Sequence, residues 1–471
     1  MPEIDNGTEY RFNMRKLFGT DGIRGKANHF PMTPGVALRL GRAVAAFFNN
    51  HRHRAQIIVG KDTRVSGPML EYALVAGICS AGADAVLTGV LPTPAVAYLT
   101  ATMPAAAAGI VISASHNPFY DNGLKVFNGD GYKLTDERES EIERLMADDD
   151  PNASPRKSSE EVGQVVHLKD AAERYLLFAK QILPENAPFK GLKIILDCSN
   201  GATFQVAPRL FAELGAETEA IGIQPDGKNI NADCGSEHPQ TLIQKVLACG
   251  ADVGLAFDGD GDRLIAVDEK GQQVSGDRIL AICGKYLQEK GALKNNLIVS
   301  TVMSNIGLSL ALKNLGISHL KVDVGDRYVL EKMIATDAVL GGEDSGHMIF
   351  LDHHTTGDGI VTALMLLEVM QARSKTLSDL SGIMTVYPQI LMNVTVGSKP
   401  AIESVRGIQA AIQAVETNLG ENGRVLVRYS GTQPVCRVMV EGPDEQKARA
   451  YCTQIAEVIK KSIGSQKPEN R

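Results

Sequence analysis

Three aspartates at alternate positions, Asp258, Asp260 and Asp262, follow the apolar run VGLAF. Carboxylates this close in sequence repel one another unless a cation neutralises them. In an extended chain the first and third would stand about 13 Å apart, whereas ligands of one Mg²⁺ lie about 2.1 Å from the ion. The loop must therefore curl, and Gly259 and Gly261 supply the unusual backbone angles that curling needs. Ligands that are all oxygen favour Mg²⁺, Mn²⁺ or Ca²⁺ over zinc.

Two other interpretations of this acidic loop stay open. The pattern D-x-D-x-D also begins an EF-hand calcium loop, and Glu269 stands at its twelfth position. However, the sixth position is Arg263 instead of glycine, and the flanks VGLAF and LIAVDE look like strands instead of helices. The second alternative is a solvated acidic turn without any metal.

A serine-containing loop, SASHNPFYDNGLK, runs from Ser113 to Lys125 directly after the strand-like run GIVIS. The carboxyl ends of strands are where open α/β sheets place their ligands. Ser115 could there act as a nucleophile, with His116 and Lys125 as cationic or proton-transferring partners. An ordinary polar turn accounts equally well for the same residue types.

A third loop, GGEDSGH, follows another short apolar run at residues 341–347. Glu343, Ser345 and His347 offer acceptors, a hydroxyl and a titratable ring, a combination that suits sugar hydroxyls and an amino group. An ordinary turn explains this loop as well.

The fourth loop, RYSGTQP, joins two predicted strands near the carboxyl end of the chain. Arg428, the hydroxyls of Ser430 and Thr432, and the backbone N–H groups around Gly431 would make a concave anion site, with Arg437 close behind. The alternative is a plain hairpin loop.

The composition limits the function classes. The chain has 471 residues, 44% hydrophobic and 22% charged, with a net charge of -7. A chain this acidic is a poor binder of nucleic acid or acidic membranes, so any phosphate site must be local. No apolar run approaches the roughly 20 residues of a membrane helix, and the polar amino terminus is not a signal peptide. The seven scattered cysteines contain no CxxC pair, which indicates free thiols in a reducing cytoplasm.

Strands alternate with helices along most of the chain, a rhythm that predicts βαβ units with largely parallel pairing. It recurs from Leu192 and again from Leu297, so we expect three similar α/β domains with mixed, largely parallel sheets. The first rhythm consists of strands at Ala55–Gly60, Ala85–Thr88 and Gly109–Ser113 and helices at Gly67–Gly82 and Pro94–Met103.

The last stretch has a different order, which predicts a smaller α+β domain with antiparallel strands. We expect domains at residues 1–165, 166–272, 273–387 and 388–471, with Asp148–Val162 as a linker or exposed loop and the first dozen residues as a loose extension. The predicted elements of the last domain are helices at Ile402–Leu419 and Asp444–Ile463 and strands at Val425–Arg428 and Arg437–Val440.

Together the four loops resemble those of the α-D-phosphohexomutase superfamily. The resemblance covers nearly the whole chain, through KLFGTDGIRG, ISASHNPFYDNGLKVF, LAFDGDGDR, GGEDSGH and GRVLVRYSGTQPVCRVMVEG. It implies four domains around a central cleft, with one loop from each domain. It also implies conversion between the 6-phosphate and the 1-phosphate of a hexose through a sugar 1,6-bisphosphate.

The resemblance also implies roles for single residues. Ser115 matches the phosphorylated serine, and with it Asp258, Asp260 and Asp262 match the Mg²⁺ ligands. Lys125, or another nearby base, would take the proton of the attacking hydroxyl. The remaining candidates, from the resemblance or from the loops above, are Arg24, His116 and Arg263 for catalysis and Arg327, Glu343, Ser345, His347, Arg428, Ser430, Gly431, Thr432 and Arg437 for substrate binding.

Within the superfamily, the chain is most similar to bacterial enzymes that act on glucosamine phosphates and feed UDP-N-acetylglucosamine synthesis. The expected partner is a small phosphosugar, and the resemblance alone suggests a homodimer. Two positions depart from that group: Asp344, where glutamine is usual, and Gln433, where glutamate is usual. Asp344 would add negative charge beside the sugar if its side chain faces it. The alternatives are a glucose or mannose phosphate mutase, a phosphoserine-dependent phosphatase and an inactive sugar-phosphate-binding protein.

Overall fold

A computed structural model describes residues 17–19, 21–48, 54–147, 158–184, 189–430 and 433–464. The chain divides into two compact units. The first unit holds the described residues up to Val302 together with Leu320–Ser381, and the second holds Met303–His319 and the described residues from Gly382 onward. The predicted amino-terminal extension and residues 148–157 of the predicted linker lie outside the described residues. None of the described helices is long and apolar enough to cross a membrane.

A six-stranded sheet begins the first unit, in the order β1-β5-β4-β2-β3-β6. Strands β2, β3, β4 and β6 pair in parallel, and the remaining pairs are antiparallel. The apolar runs predicted as strands form the buried centre of this sheet, because helices cover it. The elements are β1 Ile23–Lys26, α1 Pro34–Phe48, β2 Gln56–Lys61, α2 Gly67–Ser80, β3 Asp84–Val90, α3 Thr93–Thr102, β4 Ala106–Ile112, β5 Asp121–Asn128, α4 Asp136–Ala147, β6 Val165–His167 and α5 Ala171–Gln181.

The second sheet has five strands in the order β11-β10-β9-β7-β8. The acidic loop joins β9 to the antiparallel β10, with Phe257 opposite Leu264. Because strands flank the loop on both sides, the EF-hand alternative is wrong. The elements are β7 Lys193–Asp197, α6 Val206–Glu213, β8 Glu217–Ile221, α7 Gln240–Cys249, β9 Val253–Phe257, β10 Leu264–Asp268 and β11 Gln273–Val274.

The third sheet has the order β13-β12-β14-β15. The GGEDSGH loop is the turn between the antiparallel strands β14 and β15, closed by a hydrogen bond of 2.9 Å from the Glu343 N–H to the His347 carbonyl. The elements of this part of the chain are α8 Gly276–Glu289, β12 Leu297–Thr301, α9 Ile306–Asn314, β13 Ser318–Val322, α10 Asp326–Thr336, β14 Leu340–Gly342, β15 Met348–Phe350, α11 Gly359–Arg373 and α12 Leu377–Ser381, of which α9 belongs to the second unit.

The second unit contains an antiparallel sheet of three strands in the order β16-β18-β17. Two amphipathic helices cover it, and their apolar faces meet Ile390, Val438 and Val440 in one core. Three similar α/β sheets followed by a smaller α+β part confirm the predicted fold class. The elements are β16 Gln389–Thr395, α13 Arg406–Leu419, β17 Arg424–Tyr429, β18 Val435–Glu441 and α14 Glu445–Ile463.

A buried contact joins α5 to the start of α11 within the first unit. The Tyr175 hydroxyl lies 2.8 and 2.9 Å from the two carboxylate oxygens of Asp358. Asp358 is the N-cap of α11 and accepts hydrogen bonds from the N–H groups of Ile360 and Val361. The phenol therefore helps to satisfy a carboxylate that is almost fully buried.

We predict that Tyr175→Phe lowers the free energy of unfolding by about 1–3 kcal/mol, because it leaves part of a buried carboxylate without a donor. Urea unfolding followed by far-UV circular dichroism suits this chain, which has no tryptophan. Tyr72→Phe is the matched control, since the Tyr72 side chain is 69% exposed. Equal midpoints for the two variants would contradict the prediction.

Candidate active site

Ser115 lies just beyond the carboxyl end of β4 and is almost fully buried. Its backbone is left-handed, with φ of 51°, a conformation that costs roughly 1–3 kcal/mol for a residue other than glycine. Its Oγ donates to Asp258 Oδ2 at 2.5 Å and lies 3.3 Å from His116 Nδ1. The strained turn therefore directs the serine hydroxyl at the acidic loop.

The three aspartates of the acidic loop converge, as the sequence predicts. All three are buried, and one carboxylate oxygen of each lies within 4.8 Å of the others. Burial and the two neighbouring carboxylates raise the pKa of Asp258 well above its usual range. Among the described residues, Asp260 Oδ1 and Asp262 Oδ1 are buried without a hydrogen-bond donor. Such a cluster fits a hard divalent cation, which would supply the missing positive charge.

Backbone hydrogen bonds hold the acidic loop in its curled form. Each of the four backbone carbonyls of residues 258–261 accepts one hydrogen bond. The donors are backbone N–H groups of the loop itself, of the segment after β7 and of the first residues of α3 and α11. The bonds are Gly261 N to Asp258 O at 3.2 Å, Ala202 N to Gly259 O at 2.8 Å, Thr93 N to Asp260 O at 2.9 Å and Gly359 N to Gly261 O at 3.0 Å.

The two glycines of this loop are needed for different reasons. Gly261 has φ of 75°, the left-handed angle that the sequence predicts. Gly259 does not have a left-handed φ, so the prediction for it is wrong. A side chain there would instead put its Cβ 2.5 Å from the Ser115 carbonyl oxygen. Gly259 is thus required because the serine loop and the acidic loop touch at this point.

Acidic and basic side chains alternate around a closed ring beside the triad. Lys125 is a member of this ring, and its Nζ also lies 2.8 Å from Asp260 Oδ2. His347 Nδ1 lies 3.6 Å from Asp262 Oδ2, and His347 Nε2 lies 3.4 Å from Asp326 Oδ2. In order, the ring is Asp262, Lys125, Asp21, Lys133, Asp326, His347 and back to Asp262.

The titration of the two predicted proton-transferring groups follows from their surroundings. Burial lowers the pKa of Lys125, but Asp21, Asp260 and Asp262 outweigh burial and raise that pKa well above its usual value. Lys125 is therefore a cation here, which argues against the predicted role as a base. Burial and the charge of Arg263 lower the pKa of His116 to about 4, so its ring is neutral beside Ser115.

A cavity of about 390 Å³ lies next to the triad, within the first unit. It exposes the guanidinium groups of Arg24 and Arg263 together with Glu343 and His347. Burial raises the pKa of Glu343, and the charges of His347 and Arg263 oppose that rise. The cavity thus joins positive charge, a titratable carboxyl and a buried imidazole at one place, as the sequence predicts.

Three other residues that the sequence analysis named do not line this cavity. Arg327 does not line this cavity: its guanidinium bonds to Asp136 at 2.9 Å and Glu139 at 3.2 Å on α4. The Asp344 carboxylate lies 3.4 Å from the Asp277 N–H, at the positive amino-terminal end of α8, so the condition for its adding charge beside the sugar, a side chain that faces the cavity, is not met. Ser345 Oγ is buried and has no hydrogen-bond partner among the described residues.

The arginines of the fourth loop lie in the second unit. Arg428 on β17 is directly opposite Arg437 on β18 in the antiparallel pair. Like charges in this position repel one another, and an anion between them would relieve the repulsion. The Ser430 N–H donates to the Val435 carbonyl at 2.8 Å, and its carbonyl accepts from Lys399 Nζ at 2.6 Å. Gly431 and Thr432 lie outside the described residues.

Four domain models of one family match the chain in order. They are described as Phosphoglucomutase/phosphomannomutase alpha/beta/alpha domain I (residues 15–153), domain II (173–271), domain III (275–387) and C-terminal domain (391–458). The chain belongs to the phosphoglucomutase/phosphomannomutase family.

Individual members of the phosphoglucomutase/phosphomannomutase family are similar over nearly their full lengths. The phosphoglucosamine mutase of Syntrophus aciditrophicus is 56% identical over 452 residues, 96% of this chain and 100% of that protein. That of Syntrophobacter fumaroxidans is 54% identical over 451 residues, 96% of this chain and 100% of that protein. The crystal structure of a Burkholderia thailandensis family protein has a TM-score of 0.78 at 25% identity, covering 95% of this chain and 97% of that one.

Sequence reasoning missed several residues of the site in this family member. Asp21 stands inside the motif KLFGTDGIRG, and Asp326 directly precedes the candidate Arg327, so the acidic charge of each beside a glycine was an available signal. Thr93, whose Oγ1 donates to Asp260 Oδ2 at 2.6 Å, follows the carboxyl end of β3. Lys133, which bonds both Asp21 and Asp326, has no local pattern that indicates its role.

We predict that Mg²⁺ stabilises the protein more at about pH 8 than at about pH 5, because the raised pKa of Asp258 means that the metal-free fold favours the protonated carboxyl. Metal-free stability therefore falls as the pH rises from the ordinary carboxyl pKa through the raised one, and a bound cation removes that loss. At a hundred times its Kd, Mg²⁺ should add about 2.7 kcal/mol, measured as a rise in Tm.

Asp258→Asn tests the same point without any substrate. It should raise the Tm in EDTA, because one of three like charges is gone, and it should abolish most of the Mg²⁺-dependent rise. Asp130→Asn, at an exposed position, is the control. A Mg²⁺ response in Asp258→Asn as large as in the control would remove the triad as the metal site.

Proposed function

We propose that the protein is a phosphoglucosamine mutase, which interconverts glucosamine 6-phosphate and glucosamine 1-phosphate. The observation that carries this proposal is the Ser115 hydroxyl, held 2.5 Å from a buried triple-aspartate cluster beside a charged cavity. Relatives at 50–56% identity with the name phosphoglucosamine mutase support the choice of sugar. The domain boundaries 1–165, 166–272, 273–387 and 388–471 remain our proposal.

The acidic cluster is proposed to hold Mg²⁺, with Asp258, Asp260, Asp262 and an oxygen on Ser115 as ligands. The two carboxylate oxygens without a donor, on Asp260 and Asp262, support this fit. When bound, Mg²⁺ would neutralise charge on the phosphoryl group that is transferred. The bisphosphate of the sugar is proposed as the intermediate that keeps Ser115 phosphorylated between turnovers.

Side chains around Ser115 would carry out the rest of the transfer. Arg24, Arg263 and Lys125 present fixed positive charge, which stabilises a phosphoryl group between two oxygens. The geometry favours Lys125 in this electrostatic role, because three carboxylates keep it protonated. The neutral ring of His116 has its Nδ1 3.3 Å from Ser115 Oγ, on which the transferred group would be carried.

Two groups of residues are proposed to bind the substrate, and each is described by itself. Glu343, Ser345 and His347 would contact sugar hydroxyls and the amino group, and a negative Glu343 would favour a protonated amine. Arg327 is not included, because its guanidinium is bound to α4. The substrate's own phosphate would be held in the second unit by Arg428, Ser430, Gly431, Thr432 and Arg437.

After the first transfer the bisphosphate must turn over, so that its other phosphate faces Ser115. A separate phosphate site in the second unit would allow release and recapture of the sugar. Cytoplasmic location is proposed with this substrate, and seven free thiols agree with a reducing compartment. A homodimer is proposed from the resemblance, and light scattering on the purified protein would test it.

We expect Ser115→Ala to lose the phosphoenzyme and more than about 1,000-fold in kcat, because the group that carries the phosphoryl is gone. Intact-protein mass spectrometry with and without the sugar bisphosphate would detect a phosphate-sized mass on the wild type and none on Ser115→Ala. Ser140→Ala is the control, since Ser140 is exposed and its Oγ donates to the Asp136 carbonyl within α4. Normal turnover by Ser115→Ala would rule out the proposed mechanism.

A glucose or mannose phosphate mutase is the second candidate, which the description of the matching family favours. We expect kcat/KM to be highest for glucosamine phosphate, with measurable activity on the other two, because a phosphate site does not contact the 2-position. Comparison of the three sugar phosphates decides between them. Release of inorganic phosphate at the rate of sugar consumption would instead identify a phosphatase.

A further inference from the structure

Two side chains bind the same pair of carbonyl oxygens in the serine loop. Arg64 Nη2 donates to Ser115 O at 2.9 Å and to Asn117 O at 2.8 Å. Asn231 Nδ2 donates to the same oxygens at 2.9 and 3.0 Å. Each carbonyl thus accepts two hydrogen bonds, the full number that its lone pairs allow. We call Arg64 and Asn231 the carbonyl clamp.

The Arg64 guanidinium is buried against the serine loop and is held there by several hydrogen bonds. Its side chain is 0% exposed, and its Nε donates to Asp62 Oδ2 at 2.8 Å, which balances its charge. Its Nη1 donates to the carbonyls of Pro118 and Asp121, the latter at 3.1 Å. Because β2 and β4 are parallel, Arg64 leaves the same sheet edge as Ser115.

Asn231 reaches the loop from the second sheet. It follows β8, and its own backbone is left-handed, with φ of 58°. Its N–H donates to the Ser199 carbonyl at 2.9 Å, which fixes the residue from behind. A Cβ added at Gly259 would lie 2.7 Å from Asn231 Nδ2, so the acidic loop packs directly against the Asn231 amide.

The clamp acts on the peptide group that follows the strained residue. A left-handed Ser115 persists only if its surroundings favour that conformation over the ordinary ones. Rotation of this residue to an ordinary φ would move its carbonyl away from both donors, and it would also turn Oγ away from Asp258. We propose that Arg64 and Asn231 are positioning residues, which hold Ser115 in the one backbone conformation that presents its phosphoryl group to the metal and the sugar.

This inference rests on the proposed role of Ser115, and it assigns Arg64 and Asn231 no contact with the substrate. Arg64 and Asn231 are not among the residues that line the cavity. Their loss should therefore reduce the rate of phosphoryl transfer and leave binding of the sugar phosphate nearly unchanged. A misplacement of about 1 Å costs on the order of 100-fold in rate.

The experiment compares Asn231→Ala, Arg64→Lys and the double variant with Asn229→Ala in the full-length protein. Asn229 is the matched control because it has the same side chain in the same segment and bonds Gln224 and Asp226 instead of the serine loop. We expect Asn231→Ala to lower kcat about 100-fold, with KM and Tm close to those of the control. The double variant should lose little more than the worse single variant, because both donors hold the same carbonyls.

Hydrogen–deuterium exchange provides a readout that does not need turnover. Amides of residues 113–121 should exchange faster in Asn231→Ala and Arg64→Lys than in Asn229→Ala. A kcat within about twofold of the control, or a fall in kcat without faster exchange in the serine loop, would overturn the proposal. If Arg64→Lys does not fold, Asn231→Ala alone decides. Wild-type protein without mutase activity would refute the proposed function, whereas the exchange result would still report on the clamp.

Discussion

Three carboxylates within 4.8 Å of one another, all buried, are the constraint on which the rest of the first unit depends. Uncompensated charge in a protein interior costs several kcal/mol per ion, so such a cluster persists only with a matched cation. Lys125 neutralises part of it, but burial and the two neighbouring carboxylates still raise the pKa of Asp258. The placement of Ser115 and the positive residues of the cavity can both be understood as responses to this concentration of negative charge, and the proposed metal site follows from it too.

The acidic loop is also where the three sheets of the first unit come together. Its carbonyls accept from α3, from the segment after β7 and from α11, and Leu264 just beyond it donates to Gly346 in the GGEDSGH loop at 3.0 Å. The serine loop approaches it at Gly259 so closely that no side chain fits between them. A small change in the loop would thus alter the aspartate cluster, the serine loop and the GGEDSGH loop together.

Much of this could be predicted from the sequence, because the signals are local. Strands Gln56–Lys61 and Ala106–Ile112, the curled aspartates and the position of the serine loop at the carboxyl end of a strand each depend on a short stretch of residues. What the sequence could not provide is which distant side chains meet. Arg64 follows β2 of the first sheet and Asn231 follows β8 of the second sheet. Only the folded chain brings both side chains to the same two carbonyls.

Arg327 shows a second limit of prediction from sequence. The predicted segment does reach the cavity, but the residue that lines the cavity is the neighbour of the predicted one. Neighbouring positions at the start of a helix point about 100° apart. At the start of α10, Asp326 lines the cavity while Arg327 turns to α4. Neighbours diverge in the GGEDSGH turn as well, where the predicted Glu343 lines the cavity and Asp344 faces the start of α8. A motif gives the place in the fold, but the direction of each side chain depends on the backbone around it.

The closed ring of alternating charges has a consequence for how this sequence can change over time. Each member has one oppositely charged neighbour on either side, so replacing a single member leaves two like-charged neighbours facing a gap. Such residues are energetically coupled, and the effect of one replacement depends on the state of the next. Lys133 touches no metal ligand, yet a mutation there would be tolerated mainly when Asp21 or Asp326 changes with it. Because of the ring, the effect of a mutation at this site depends on the other ring residues. This epistasis includes residues such as Lys133 that are not assigned a role in the reaction.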